Sequence, residues 1–180
     1  MKNQLFITLT LFVSSLLLGC TGMPDKVAPV SPFSIEQYQG KWYEIARLDH
    51  SFERGLDNIT ADYTINDDGS VTVLNRGFNS EENKWSEAQG TAKFVDSNDV
   101  GHLKVSFFGP FYSSYIVFKL DQQNYQYAYV SGYNNDNLWR LSRTPTVSEQ
   151  RLPHFKVLSP QKCFDTHNQT IVKKHKTQGT

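Results

Sequence analysis

The chain reads as an all-β protein, an up-and-down antiparallel barrel of about eight strands. Three observations predict this. Between residues 41 and 143, short runs rich in Val, Ile, Thr, Tyr and Phe alternate with turn residues. Most connections are short enough to be hairpins, which favours a barrel over a sandwich. Within several runs, apolar residues alternate with charged or polar ones, so each strand has a core face and a water face.

The elements follow in order. Ser34-Ile35-Glu36-Gln37-Tyr38 predicts a short N-terminal helical or 3₁₀ segment with Ser34 as its cap, and Gly40 stops it. Strands are expected near 41–49, 58–66, 70–78, 85–95, 102–108, 113–121, 125–132 and 137–143. Asn66-Asp67-Asp68-Gly69 is a strong hairpin signal. The polar stretches 79–83, 96–99 and 133–136, and Gly109-Pro110, are further turns. One longer connection, Asp49 to Asp57, is expected to lie over one end of the barrel.

The alternation sorts residues by face. The set expected inside is Trp42, Glu44 and Ala46; Ala61 and Tyr63; Val71, Val73 and Asn75; Gly90, Ala92 and Phe94; Leu103, Val105 and Phe107; Ser114, Ile116 and Phe118; Ala128 and Val130; Trp139 and Leu141. Lys41, Arg47, Asp62, Thr72, Lys93, Lys104 and Arg140 belong to the opposite face. An interior filled only by Leu, Ile and Phe would pack solid. Small residues at several inward positions predict a cavity, or else they relieve crowding in a tapering barrel. A closed barrel of about eight strands can hold one small ligand.

Residues 1–19 read as an export signal. Lys2 begins it, an apolar run from Leu5 to Leu18 follows, and Leu17-Leu18-Gly19-Cys20 ends it. The run is shorter than the roughly 20 residues that span a bilayer. The closing tetrapeptide resembles the bacterial lipobox. That resemblance implies cleavage before Cys20 and acylation of its thiol and new amino group. Multiple acyl chains anchor permanently where one chain does not. Thr21, rather than Asp, resembles an outer-membrane address. Residues 20–33, with Gly22, Pro24, Pro29 and Pro32, are expected to form a lipidated tether holding the domain off the membrane.

Composition excludes some functions. The full chain has 18 basic and 18 acidic residues, so loss of Lys2 leaves a net charge of −1. Nothing in that balance points to nucleic acid. Lys173-Lys174-His175-Lys176 begins a basic tail over 173–180 that is expected to be solvated. The chain has two cysteines, and acylated Cys20 leaves Cys163 without a partner, so no disulfide supports the fold. There is no Gly-x-Ser-x-Gly, no phosphate loop and no His/Cys cluster at metal-ligand spacing, so neither catalytic residues nor a metal or other cofactor are expected. The remaining enzyme alternative is a hydrolase using Cys163 with His167.

Three motifs now carry a family resemblance. Gly40-Lys41-Trp42 resembles the Gly-x-Trp motif of the lipocalins. Leu138-Trp139-Arg140-Leu141-Ser142-Arg143 resembles their last strand with its arginine, and Tyr125 to Gly132 their penultimate strand region. Trp42–Gly55 and Lys104–Phe111 look like the bacterial outer-membrane members in particular. The resemblance implies an eight-stranded lipocalin barrel over residues 34–172 with a C-terminal helix on its wall. It also implies that Trp42 plugs the closed end under Arg143 in a cation–π stack, beside Gly40. Pro153 and Pro160 fall inside the expected helix, so a broken or late-starting helix is expected.

The same resemblance implies a fatty acid or lysophospholipid ligand, stored or carried by a protein lipid-anchored in the outer membrane and facing the periplasm. Expected cavity residues are Ala46, Ala61, Tyr63, Val71, Val73, Asn75, Val105, Phe107, Ile116, Phe118, Val130 and Trp139, an apolar lining suited to an acyl chain. Glu44 is the odd inward residue, and a buried carboxylate must be paired or protonated. A bond to Asn75 or a tyrosine is one account of it, a ligand contact the other. Arg47, His50, Arg54, Lys84 and Tyr112 are candidates for headgroup contacts. Exposed Phe111 and Tyr112 could serve a homodimer or loop packing. An envelope module without a ligand is the alternative function.

Overall fold

The turn signals divide the chain at the expected places. A computed structural model describes residues 22–147, 164–165 and 169–174. It contains α1 (Ile35–Tyr38), β1 (Gly40–Leu48), β2 (Leu56–Ile65), β3 (Val71–Asn79), β4 (Lys84–Phe94), β5 (His102–Phe108), β6 (Phe111–Leu120), β7 (Tyr127–Ser131), β8 (Leu138–Ser142) and β9 (Gln169–Ile171). Consecutive strands pair antiparallel from β2 to β8, and β1 pairs both β8 and β2, which closes an eight-stranded barrel. Strand β9 adds to the outside of the seam along Ala46–Leu48.

The N-terminal segment is one α-helical turn rather than a 3₁₀ segment. Tyr38 N–H donates to the Ser34 carbonyl at 3.1 Å and Gln39 N–H to that of Ile35 at 2.8 Å. Ser34 caps it as expected, its hydroxyl accepting from Gln37 N–H. The first hairpin follows its Asx chemistry. Asp68 Oδ1 accepts from Ser70 N–H at 2.9 Å, and Gly69 takes the left-handed conformation at φ 78°.

Two apolar clusters divide the side chains by face. The interior holds Tyr38, Trp42, Tyr63, Val71, Val73, Ala92, Leu103, Val117, Leu120, Ala128, Val130 and Leu141. A second cluster joins Val27, Ala46, Leu48, Ile116, Tyr129, Leu138 and Phe164, with Phe118 packed against it. Phe118 stacks on Phe164 with centroids 5.8 Å apart. This second cluster is the covered outer wall.

Three expected cavity residues therefore change face. Ala46 lies on the wall because β1 bulges between Glu44 and Ala46, which turns Arg47 inward instead. Ile116 and Phe118 lie on the wall because β6 sits in the opposite register, with Tyr115 beside Leu103 and Val117 beside Val130. Ser114 faces out with them, and its hydroxyl donates to the Gly22 carbonyl at 2.7 Å. The strand misled because both faces are apolar, as in any strand covered on both sides.

The expected tether is packed as well. Val30 N–H donates to the Val117 carbonyl at 2.8 Å, Gly101 N–H to that of Val30 at 2.9 Å, and Phe33 N–H to that of Asp99 at 2.8 Å. Pro24, Val27 and Phe33 are buried. Residues 22–33 thus form a strap along β6 rather than a free spacer. At the other terminus, the Lys173 carbonyl accepts from Asn58 N–H at 3.0 Å and Lys174 Nζ donates to the Ile59 carbonyl at 3.3 Å. These two lysines fill the gap where β1 leaves β2, so they are not free tail. Cys20, Cys163, His167, Pro153, Pro160 and the expected C-terminal helix lie outside the described residues.

Candidate ligand-binding site

The closed end is built first. Trp42 is fully buried, and its Nε1–H donates to the Tyr38 carbonyl at 2.7 Å. Arg143 lies over its ring, with Cζ 4.0 Å from the centroid. The guanidinium also donates to the carbonyls of Gln37 (2.7 Å), Tyr38 (3.1 Å), Lys41 (3.0 Å) and Tyr125 (3.3 Å). One cation thus ties α1, β1 and the β6–β7 connection together. Gly40 holds φ 86°, a conformation that a side chain would strain, at the point where Arg143 passes.

Above the plug stand three phenols. Tyr115 Oη lies 2.7 Å from Tyr38 Oη and 2.7 Å from Tyr63 Oη. Burial raises the ionisation of all three well above that of a free phenol, so they stay neutral. The trio satisfies its own hydroxyls, which suits a dry floor.

Higher up, a charged group sits on the inner face near the mouth. Arg47 is 2% exposed and pairs with Glu44 at 2.9 Å. Its Nη2 donates to the Glu53 carbonyl at 2.8 Å. Glu44 thus takes an arginine, not Asn75 or a tyrosine. Glu53 Oε2 accepts from Trp139 Nε1 at 3.2 Å and lies 3.2 Å from His50 Nε2. Burial raises Glu44 and, with the neighbouring Glu44 charge, raises Glu53 further. Burial and the Arg47 charge depress His50 to about 4, so this imidazole is neutral at pH 7. It stacks on Phe52 at 4.1 Å and packs on Trp139 at 5.1 Å. Residues 49–55 therefore form the side of the mouth that was expected as a loop over one barrel end.

The expected cavity residues divide by accessibility. Tyr63, Val71, Val73 and Val130 are buried in the interior cluster. Ala61, Val105, Phe107 and Trp139 pack on it yet remain partly accessible, as does Asn75 opposite Ala61. Along β4, Ala92 and Gly90 are buried, while Ala88 is exposed. Not every small residue marks space, however. A Cβ on Gly90 would meet the Phe107 ring at 2.8 Å, so that glycine makes room for an aromatic neighbour. A cleft of about 280 Å³ opens near the mouth, where β4 and β5 stop pairing, lined by Gln89, Gly90, Thr91, Ser106, Phe107, Gly109 and Tyr112.

Of the headgroup candidates, Arg47 and His50 meet at the mouth. Arg54 is exposed and bound to Asp49 at 2.6 Å, Lys84 pairs with Glu82, and Tyr112 lies under Lys104 Nζ at 5.4 Å. Sequence reading missed Glu53 and Tyr115. The density of charge in Glu44, Arg47, His50 and Glu53 was a signal for the first. Nothing in the doubly apolar β6 run marked the second.

Comparison with known proteins agrees with this geometry. A family model described as a lipocalin-like domain matches residues 33–174. Outer membrane lipoprotein Blc of Vibrio cholerae serotype O1 is 57% identical over 154 residues, which cover 86% of this chain and 90% of that protein. The protein of the same name from Escherichia coli strain K12 is 43% identical, with coverage of 83% and 85%. Among solved structures, insecticyanin from the tobacco hornworm Manduca sexta superposes with a TM-score of 0.67 at 18% identity, covering 86% of this chain and 88% of that one, which is a likeness of fold. Three ordered motifs, a closed eight-stranded barrel with a tryptophan under arginine at its sealed end, and these matches place the chain in the lipocalin family.

Proposed function

We propose that this lipocalin binds one single-chain lipid, a fatty acid or lysophospholipid, in the upper half of its barrel. The acyl chain would lie along Val73, Val105, Phe107 and Val130, with the polar end toward Trp139, His50 and Arg47. The observation that carries the reading is a set of inward residues, Ala61, Val105, Phe107 and Trp139, that pack on the buried apolar cluster yet remain partly accessible. An apolar pocket with a few polar groups at its rim suits such a ligand. Cys20 would be acylated and would hold the protein in the outer membrane, facing the periplasm, to store or carry lipid. The names of the Vibrio and Escherichia relatives support the location. The reading is one of binding, with no catalytic step.

The test is native mass spectrometry of the delipidated mature domain, titrated with lysophospholipid and with fatty acid. One bound lipid per chain is expected, with Trp139 fluorescence changing in step. A barrel that retains none would favour a ligand-free envelope module. The self-satisfied tyrosine trio and the Phe107 ring over Gly90 would then be packing alone.

A further inference from the structure

All four connections at the mouth present an exposed aromatic side chain. Phe52 lies between β1 and β2 (63% exposed), Trp85 begins β4 (42%), Phe108 (82%) and Phe111 (74%) flank the β5–β6 turn, and Tyr133 lies between β7 and β8 (42%). At the sealed end, stretches 66–70, 95–101 and 121–126 expose no large apolar side chain, and Tyr125 there is 5% exposed. Among the described residues the exposed aromatic side chains lie at this one end of the barrel, and an exposed apolar patch of this kind marks an interaction surface.

The strap says which partner. From Phe33 at the sealed end it runs up β6 until the Ser114 hydroxyl holds the Gly22 carbonyl at 2.7 Å. Ser114 lies in the first half of β6, close after Phe111. Cys20 is two residues beyond Gly22, and two trans peptide steps reach at most about 8 Å. An acyl group on Cys20 would therefore stay within about 8 Å of Gly22, on the mouth half of β6. A free tether would have let any face meet the bilayer, whereas the strap removes that freedom.

We propose that the open end faces and touches the bilayer that holds the Cys20 anchor, with Phe52, Trp85, Phe108, Phe111 and Tyr133 seated at the boundary between headgroups and acyl chains. This rests on the acylation proposed above. Aromatic side chains favour that boundary because they join apolar area to polar or polarisable edges. Charge plays a smaller part: among the described residues Arg54 is paired with Asp49, Arg76 with Glu87 and Lys84 with Glu82, and Lys104 lies over the Tyr112 ring.

The test uses the mature full-length protein in vesicles of phosphatidylethanolamine with a minor fraction of phosphatidylglycerol. Intact mass reads acylation, and hydrogen–deuterium exchange reads contact, with the Cys20→Ser protein in solution as the reference. Expected is protection at 50–54, 80–85, 107–112 and 132–136 with no change at 66–70 and 96–100, insensitive to salt. Brominated acyl chains should quench Trp85. The exposed double variant Phe108→Ser/Phe111→Ser should stay acylated and folded but lose most protection at 107–112. Acylated protein whose mouth loops gain nothing, or whose sealed end is protected, overturns the orientation and leaves the anchor standing. A mature mass without acyl groups overturns both. Rim protection that grows with protein concentration without vesicles would assign the rim to a second copy and overturn the membrane contact.

Discussion

Arg143 lies flat over Trp42, 4.0 Å from the ring centroid, while its nitrogens reach the carbonyls of Gln37, Tyr38, Lys41 and Tyr125. The ring seals the barrel and the cation binds the seal to three separate segments. Trp42→Ala should destabilise by about 3–5 kcal/mol because the site is enclosed and cannot collapse. Arg143→Ala should lose about 2 kcal/mol or more, and Arg143→Lys should recover less than half, since an ammonium cannot stack flat and serve several carbonyls. Urea midpoints measure both. An unchanged midpoint for Trp42→Ala would remove the plug role.

The Glu44–Arg47 pair is buried, with Glu53 beside it. Arg47→Met leaves two buried carboxylates uncompensated and should cost about 3–5 kcal/mol near neutral pH. The sign with pH is determined. Carboxylates whose folded ionisation is raised make the fold bind more protons than the unfolded chain, so stability rises as pH falls through their folded values. The deficit of Arg47→Met relative to wild type should therefore shrink from about pH 8 to about pH 5. His50 does not reverse this. Its depressed value of about 4 costs stability as pH falls in both proteins, and removing the Arg47 charge relieves it. A deficit that is constant with pH would contradict the assignment.

The phenol trio predicts a spectroscopic signature. Tyr38, Tyr63 and Tyr115 have raised folded values, so their stabilisation is present below the free-phenol range near pH 10 and is lost as pH rises above it. Phenolate absorbance should rise with pH in two stages, the second coinciding with unfolding. Absorbance is the better observable than the midpoint, because Lys174, depressed to about 8 by burial, shifts stability in the opposite sense up to its ordinary value. Tyr115→Phe, which removes the central hydroxyl, should cost about 1–3 kcal/mol and advance part of the second stage.

Lipid affinity should follow the observed faces. Ile116→Ala on the outer wall should cost about 2–5 kcal/mol of stability and leave lipid affinity unchanged. Val105→Trp, at a partly accessible inward position, should cost little stability and weaken lipid binding at least about tenfold, equivalent to 1.4 kcal/mol. Titration of both variants with lysophospholipid decides. Loss of binding in Ile116→Ala alone would mean that the wall, not the interior, carries the ligand.

Legibility varied with how many neighbours a strand has. Strands β3 and β4 carried one apolar face and one wet face, and Val71, Val73 and Ala92 were placed correctly. Strand β6 is covered by the strap on one side and the core on the other, so Ser114, Ile116 and Phe118 were assigned to the wrong face. In β1, the bulge after Glu44 shifted Ala46 and Arg47 by one step, and simple alternation cannot register an inserted residue.

What the sequence determined by itself was local. Turn residues punctuated eight strands, Ser34 capped a helical turn, and the Trp42 and Arg143 motifs marked the sealed end. These depend on contacts near in the chain or on side chains with distinctive chemistry. The tertiary structure alone decided which way a doubly covered strand turned, that Arg47 answered Glu44, and that residues 22–33 returned along β6 to bring Gly22 to Ser114. Each of those depends on a surface supplied by residues far away in sequence, and a linear pattern carries no record of who covers whom.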